Sequence, residues 1–287
     1  MWTTIAAWLD FAPAIVLGLI ILLAMTAAGW LGKRLRTWSD RDAVLTGQEL
    51  KESQEGYLVS AVVGLLALLV GFTFSLAVDR FETRRSLVLQ EANAIGTAYL
   101  RTQLLEEPHR ARLSRLLVAY TENRLVLSKA TDRSQLPALL ARNDRLATDL
   151  WQATVAAFPT IRGYDFSSTY LESMNEVIDL DRSRKAARLV RIPTEVFVVL
   201  LVYMIVTAAV MGFVLIGPRG RATGFFLMFL TNMAVVLIID IDRPARGGIT
   251  EGQRPMEWLR DDMREHPPST YDRFLLPEAP TREAPRS

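Results

Sequence analysis

The sequence predicts an all-α integral membrane protein, with four transmembrane helices and a helical aqueous domain inserted between helices two and three. Three observations predict it. Although 22% of the 287 residues are charged, residues 11–32, 56–78, 196–217 and 222–239 contain no Asp, Glu, Lys or Arg. Apolar runs of about 18 residues or more are long enough to cross the hydrocarbon core as helices. The segment between the second and third runs, 79–195, repeats its apolar residues at helical rather than strand spacing. Finally, the chain has no cysteine, which excludes a disulfide scaffold, thiolate metal sites and a cysteine nucleophile. The formal net charge is +2 and acids and bases are interleaved, so no basic face for nucleic acid is expected.

Taken in order, residues 1–10 form a short N-terminal segment with no Lys or Arg and with Asp10. That is unlike the basic leader of a signal peptide, so the first span, 11–32, is expected to be retained. A loop, 33–55, leads to the second span, 56–78. Residues 79–99 hold no proline and no glycine before Gly96, and Leu87, Val88, Ala92, Ile95 and Tyr99 keep helical spacing. One long helix running out of the membrane is the expectation.

Within the aqueous domain, 79–195, Leu113, Leu116, Leu117, Tyr120 and Leu127 make one helical stripe. Glu106 and Glu107 before Pro108 read as acids at the positive end of that helix. A second stripe, Leu136, Leu139, Leu140, Leu146, Leu150, Trp151 and Phe158, is broken by Pro159, Gly163 and the run Asp165, Phe166, Ser167 and Ser168. A third helix runs from about Ser168 to Val190 with Leu171, Met174, Ile178 and Val190 inward, and its arginine-rich end, 181–191, reads as a solvated face. The third span is 196–217, a tight loop covers 218–221 and the fourth span is 222–239. In the tail, 240–287, a short amphipathic helix from Pro255 to about Glu265 carries Met256, Leu259 and Met263 on one side, with disorder from about residue 267.

Nothing in this order supplies catalysis. There is no phosphate-cradling glycine loop, zinc-protease helix or nucleophile elbow, and the two histidines, His109 and His266, lie far apart in sequence. No enzyme activity, cofactor or metal is expected.

The second span carries the informative pattern. Ser60, Gly64, Ala67, Gly71 and Ser75 recur at helical spacing, a small-residue face that lets another backbone approach closely in lipid. Beside it stand Leu65, Leu68 and Phe72. Two readings stay open: a packing seam flanked by lipid-facing side chains, or, in a ring of subunits, an apolar constriction of Leu68 and Phe72 that gates ions by dewetting.

The stretch GYLVSAVVGLLALLVGFTFSLAVDRFETRRSLVLQEANAIGTAYLRTQLL at 56–105, with RSRKAARLVRIP and IIDIDRPARGG later, resembles the bestrophin-like domain of unknown function family of bacterial membrane proteins. The likeness covers roughly residues 56–259. It implies remote kinship to bestrophins, which are pentameric anion or cation channels with four spans per subunit. Leu68 and Phe72 match two hydrophobic neck positions of those channels, and the third falls at Gly64, which carries no bulk. Asp79, Arg80 and Phe81 match the residues that leave the membrane. Asp240, Asp242, Pro244 and Gly247 resemble a turn that helps bind calcium in some bestrophins. Two carboxylates are few for an ion that takes about six to eight oxygens, and a solvated turn is the other reading.

The resemblance implies a homo-oligomer, pentameric if it extends that far, with the lipid bilayer as partner and no further protein partner identified. Lys33, Arg34 and Arg36 beside the first span argue for short loops inside, whereas the basic residues summed over all flanks argue for the opposite. Bestrophins keep the helical domain and both termini in the cytosol, and that placement, in a bacterial inner membrane, is the expectation. The alternative function is a non-conducting membrane-anchored scaffold or sensor whose helical domain binds a partner.

Overall fold

A computed structural model describes residues 13–46, 53–130, 134–243 and 248–272. The segment 1–10, the first two residues of the first predicted span, residues 47–52 of the first loop, Pro244 and Gly247 of the predicted turn, and the tail from 273 lie outside the described residues. The helices are α1 Ala14–Thr46, α2 Ser53–Thr102, α3 His109–Lys129, α4 Leu136–Ile161, α5 Phe166–Leu189, α6 Thr194–Val214, α7 Gly217–Asp242 and α8 Arg254–Glu265, followed by a 3₁₀ turn, Pro268–Asp272. Four stretches, in α1, α2, α6 and α7, are long and apolar enough to cross a membrane. A helix pairs its own backbone N–H and C=O groups, which is what a lipid-exposed segment requires.

The chain divides into two compact units, to both of which α2 contributes. The first comprises Met1–Glu82 and Arg188–Thr250. Its core joins Leu17 and Met25 of α1, Leu66 and Ala77 of α2, Leu200, Met204 and Ala208 of α6, and Val235 and Ile238 of α7. Glycines of α1 and α6 make a close helix crossing. A Cβ added to Gly212 would stand 1.9 Å from the carbonyl oxygen of Gly29, and one added to Gly32 would stand 2.0 Å from that of Ala209. Backbones in contact have no room for any side chain, the small-residue logic of membrane packing.

Two boundaries differ from the sequence reading. Helix α1 continues through residues 33–46, predicted as loop, and the α6–α7 break falls at Leu215 and Ile216 rather than 218–221. Gly217 takes a φ of 72°, a left-handed conformation that glycine adopts without steric cost. Pro218 then sits in the first turn of α7, where its missing N–H leaves no bond unmade.

The second unit comprises Thr83–Ala187 and Glu251–Ser287. Val88, Ala92, Ile95 and Tyr99 of α2 pack with Leu113, Leu117 and Tyr120 of α3, Leu150 and Ala157 of α4, Tyr170 and Met174 of α5, and Met256 and Met263 of α8. On α4 the inward face is Leu150, Ala153, Ala157 and Ile161, while Leu140 and Trp151 are exposed, and the helix runs past Pro159 to Ile161. Val190 is exposed rather than inward. Residues 268–272, expected to be disordered, form the 3₁₀ turn, and Arg110 Nη2 donates to Asp272 Oδ2 at 3.2 Å.

Candidate functional site

Helix α2 has two opposed faces within the membrane unit. Val59, Val63, Leu66, Val70 and Ala77 pack on the chain's own core, and their spacing places them in one row. At about 100° per residue, Ser60, Gly64, Ala67, Gly71 and Ser75 lie on the far side, with Leu65, Leu68 and Phe72 just beyond them. All eight are exposed, Leu68 by 54% and Phe72 by 63%. A Cβ added to Gly64 or Gly71 would meet nothing within 4 Å. The small-residue face is therefore not used by the chain itself, which places its own backbone contacts at Gly29, Gly32 and Gly212 instead. The periodicity of the second span located an open face; the first and third spans hold the closed one.

The predicted exit residues go three ways. Asp79 is exposed, Arg80 is half-buried, and Phe81 packs against the membrane core. The two acids after the fourth span are committed to backbone donors. Asp240 Oδ1 accepts the Gly248 N–H at 2.9 Å and Oδ2 accepts the Ile249 N–H at 3.1 Å. Asp242, which is buried, accepts the Ile192 N–H at 3.1 Å through Oδ1. Asp240 thus ties Gly248 and Ile249 to the end of α7, and Asp242 ties that end to the linker before α6. Among the described residues, no three His, Asp or Glu side chains converge as metal ligands.

The helical unit contains a buried charge cluster that sequence reading missed. Glu91 of α2 is 0% exposed. It accepts the Tyr120 hydroxyl at 2.9 Å, the Arg124 Nη2 at 3.0 Å, and a bond from Arg184 Nη1. Arg124 Nη1 donates onward to Asp181 Oδ1 at 3.0 Å, and Asn143 Nδ2 donates to the same oxygen at 2.9 Å. Buried ion pairs thereby join helices α2, α3 and α5, and the Asn143 amide ties α4 to them. Burial pushes the Tyr120 phenol well above its ordinary range, and the Glu91 charge adds to the shift. Burial opposes the charge on Arg124, but Glu91 with Tyr120 and Asp181 outweighs it, leaving the guanidinium still harder to deprotonate. Asp181 and Arg184 belong to the stretch expected to be a solvated face; both are buried. Only their placement opposite Glu91 distinguishes them from surface charges, and that placement depends on residues some 90 positions away.

A family model, the bestrophin-like domain, matches residues 19–250. A tryptophan-to-alanine variant of a bacterial bestrophin homologue from Klebsiella pneumoniae is similar in structure, with a TM-score of 0.65 and 16% sequence identity over 88% of this chain and 96% of that one. A leucine-to-threonine variant of a bestrophin homologue from the same organism gives 0.63 and 15%, covering 85% and 98%. A crystal structure described as a membrane protein, a glycine-to-alanine variant, gives 0.66 and 15%, covering 86% and 97%. No curated protein matches the chain. Identity at this level is evidence of a shared fold.

Proposed function

The chain belongs to the bestrophin-like family, and from that premise we propose that it is one subunit of a homo-oligomeric ion-conducting pore lined by α2. The observation that carries the reading is the uncovered face of that helix. A stripe without side-chain bulk, Gly64, Ala67 and Gly71, runs beside a stripe of Leu65, Leu68 and Phe72, and the chain itself packs on neither. In a ring of copies, the first stripe lets a neighbouring backbone approach and the second projects toward the axis. Leu68 and Phe72, one helical turn apart, then form two apolar layers that hold back ions by dewetting. Gly64 leaves a third layer open. Five copies is the stoichiometry implied by the resemblance to bestrophins.

The proposed location is a bacterial inner membrane, with the helical unit and both termini in the cytosol. The carboxylates of Asp240 and Asp242 serve as helix-end ties in this account rather than as a cation site.

The test is ion flux from liposomes holding the purified assembly. Leu68→Ala with Phe72→Ala is expected to raise basal flux by about tenfold or more, since both dewetting layers are lost. Unchanged flux from intact assemblies would remove α2 as the pore wall. Absence of flux from wild type and variant alike would favour the non-conducting scaffold.

A further inference from the structure

We infer that the end of the membrane unit formed by α1 and the α6–α7 turn is a binding surface for the headgroups of anionic phospholipids. The inference is independent of whether α2 lines a pore. Two segments distant in sequence are held together there. The α1–α6 crossing at Gly29 and Gly212 brings the backbones into contact. Less than two turns further along α1, Arg36 Nη1 donates to the carbonyl oxygens of Phe213 at 3.0 Å and Val214 at 3.4 Å, the last carbonyls of α6. Its guanidinium also lies 5.8 Å from the centre of the Phe213 ring. Arg36 is thus used internally, satisfying a helix end that would otherwise leave acceptors bare.

The cations around it make no such tie between segments. Lys33, Arg34, Arg219 and Arg221 are all exposed. Among the described residues, none of the four has a carboxylate partner. Arg34 lies over the ring of Trp30 at 4.1 Å, and Arg221 Nε donates to the carbonyl of Gly217 at 3.1 Å; both contacts leave the positive charge uncompensated. Trp30 and Trp38, 54% and 74% exposed, stand on the same part of α1. Tryptophan favours the headgroup level of a bilayer, where one edge is apolar and the other wet. Basic groups at that depth attract anionic headgroups. Four cations with no carboxylate partner among the described residues, two on α1 beside its crossing with α6 and two in the first turns of α7, together with the exposed tryptophans of α1, suit a phosphodiester of the adjoining leaflet.

The experiment uses the full chain reconstituted in mixed phosphatidylglycerol and phosphatidylcholine vesicles, with retained lipid read by native mass spectrometry. Wild type is expected to retain phosphatidylglycerol over phosphatidylcholine by about tenfold, the order that a few basic side chains give at a membrane surface. Excess inorganic phosphate should not displace it. The combination Lys33→Gln, Arg34→Gln, Arg219→Gln and Arg221→Gln should bring retention to parity, and Arg34→Gln or Arg219→Gln alone should lower it in part. Arg112→Gln with Arg115→Gln, on α3 in the other unit, should leave it unchanged. Parity in wild type, displacement by phosphate, or equal loss in the α3 control would each overturn the inference, and the wild-type result is decisive even if the fourfold variant does not fold.

Discussion

Replacing Glu91 by glutamine tests the buried cluster, because it removes a charge while keeping nearly the same shape. Glu91 is fully buried and receives Tyr120, Arg124 and Arg184. With the carboxylate gone, Arg124 keeps Asp181, whereas Arg184, whose side chain is likewise 5% exposed, keeps only the Gln253 amide oxygen at 3.4 Å among the described residues. Breaking one side of a buried pair costs about 3–5 kcal/mol, chiefly because a charge stays buried without compensation. For a domain of this size, that is a fall in Tm of about 6–20 °C. Differential scanning fluorimetry in detergent reads it directly. The double variant Glu91→Gln with Arg184→Met removes the stranded cation and should recover part of the loss, a coupling that additive effects would not give. A fall of under about 2 °C for Glu91→Gln, or strict additivity in the double variant, would refute the reasoning.

Other consequences follow from the same structure. Gly212→Ala places a methyl group 1.9 Å from a backbone oxygen, so it should destabilise by at least the usual overpacking cost of about 1–3 kcal/mol and lower the yield of folded protein in detergent. Gly71→Leu meets nothing within the chain and should leave the subunit folded while reducing assembly, seen as a shift to monomer in native mass spectrometry. Met256→Ala opens a fully buried site on α8 and should cost about 2–5 kcal/mol, measured by thermal melting. The half-buried pair Asp272 with Arg110 and the more open pair Glu257 with Lys129 hold both carboxyls below their ordinary range, through the hydrogen bond to each cation. A depressed carboxyl contributes above its unfolded pKa and loses that contribution as pH falls through the folded one. Protection of residues 254–272 against hydrogen exchange, relative to the intrinsic rate at each pH, should therefore fall below about pH 4 in detergent, and equal protection across that range would count against the pairs as anchors.

How far the sequence carried depended on the kind of information required. The charge-free runs and the unbroken helical spacing after Val78 are local, and α2 does run from Ser53 to Thr102 without a break. Met256 and Met263 were legible on one side of α8 for the same reason. Helix ends were less so. Residues 33–46 are polar enough to read as loop, yet nothing there forbids helix, and α1 continues. The α6–α7 break falls before Pro218 because proline begins a helix as readily as it ends one. Glu91, Asp181 and Arg184 could not be separated from solvated charges, since each lies on a helix whose other charges do face water. The glycines of α1 and α6 end small-residue spacings of their own, Ala24, Ala28 and Gly32, and Ala208 and Gly212, but spacing does not say which of them meet, so the crossing itself reveals the contact. The open face of α2 was visible as a pattern, but its being left uncovered by the chain was not.

The claim that α2 faces a water-filled axis is tested most directly by thiol labelling. The chain has no cysteine, so Phe72→Cys introduces a single reporter. In reconstituted liposomes a charged, water-soluble methanethiosulfonate should modify it and alter ion flux, whereas Val202→Cys, on an exposed position of α6, should stay unmodified. Protection of Phe72→Cys equal to that of Val202→Cys would place the α2 face against lipid and contradict the account.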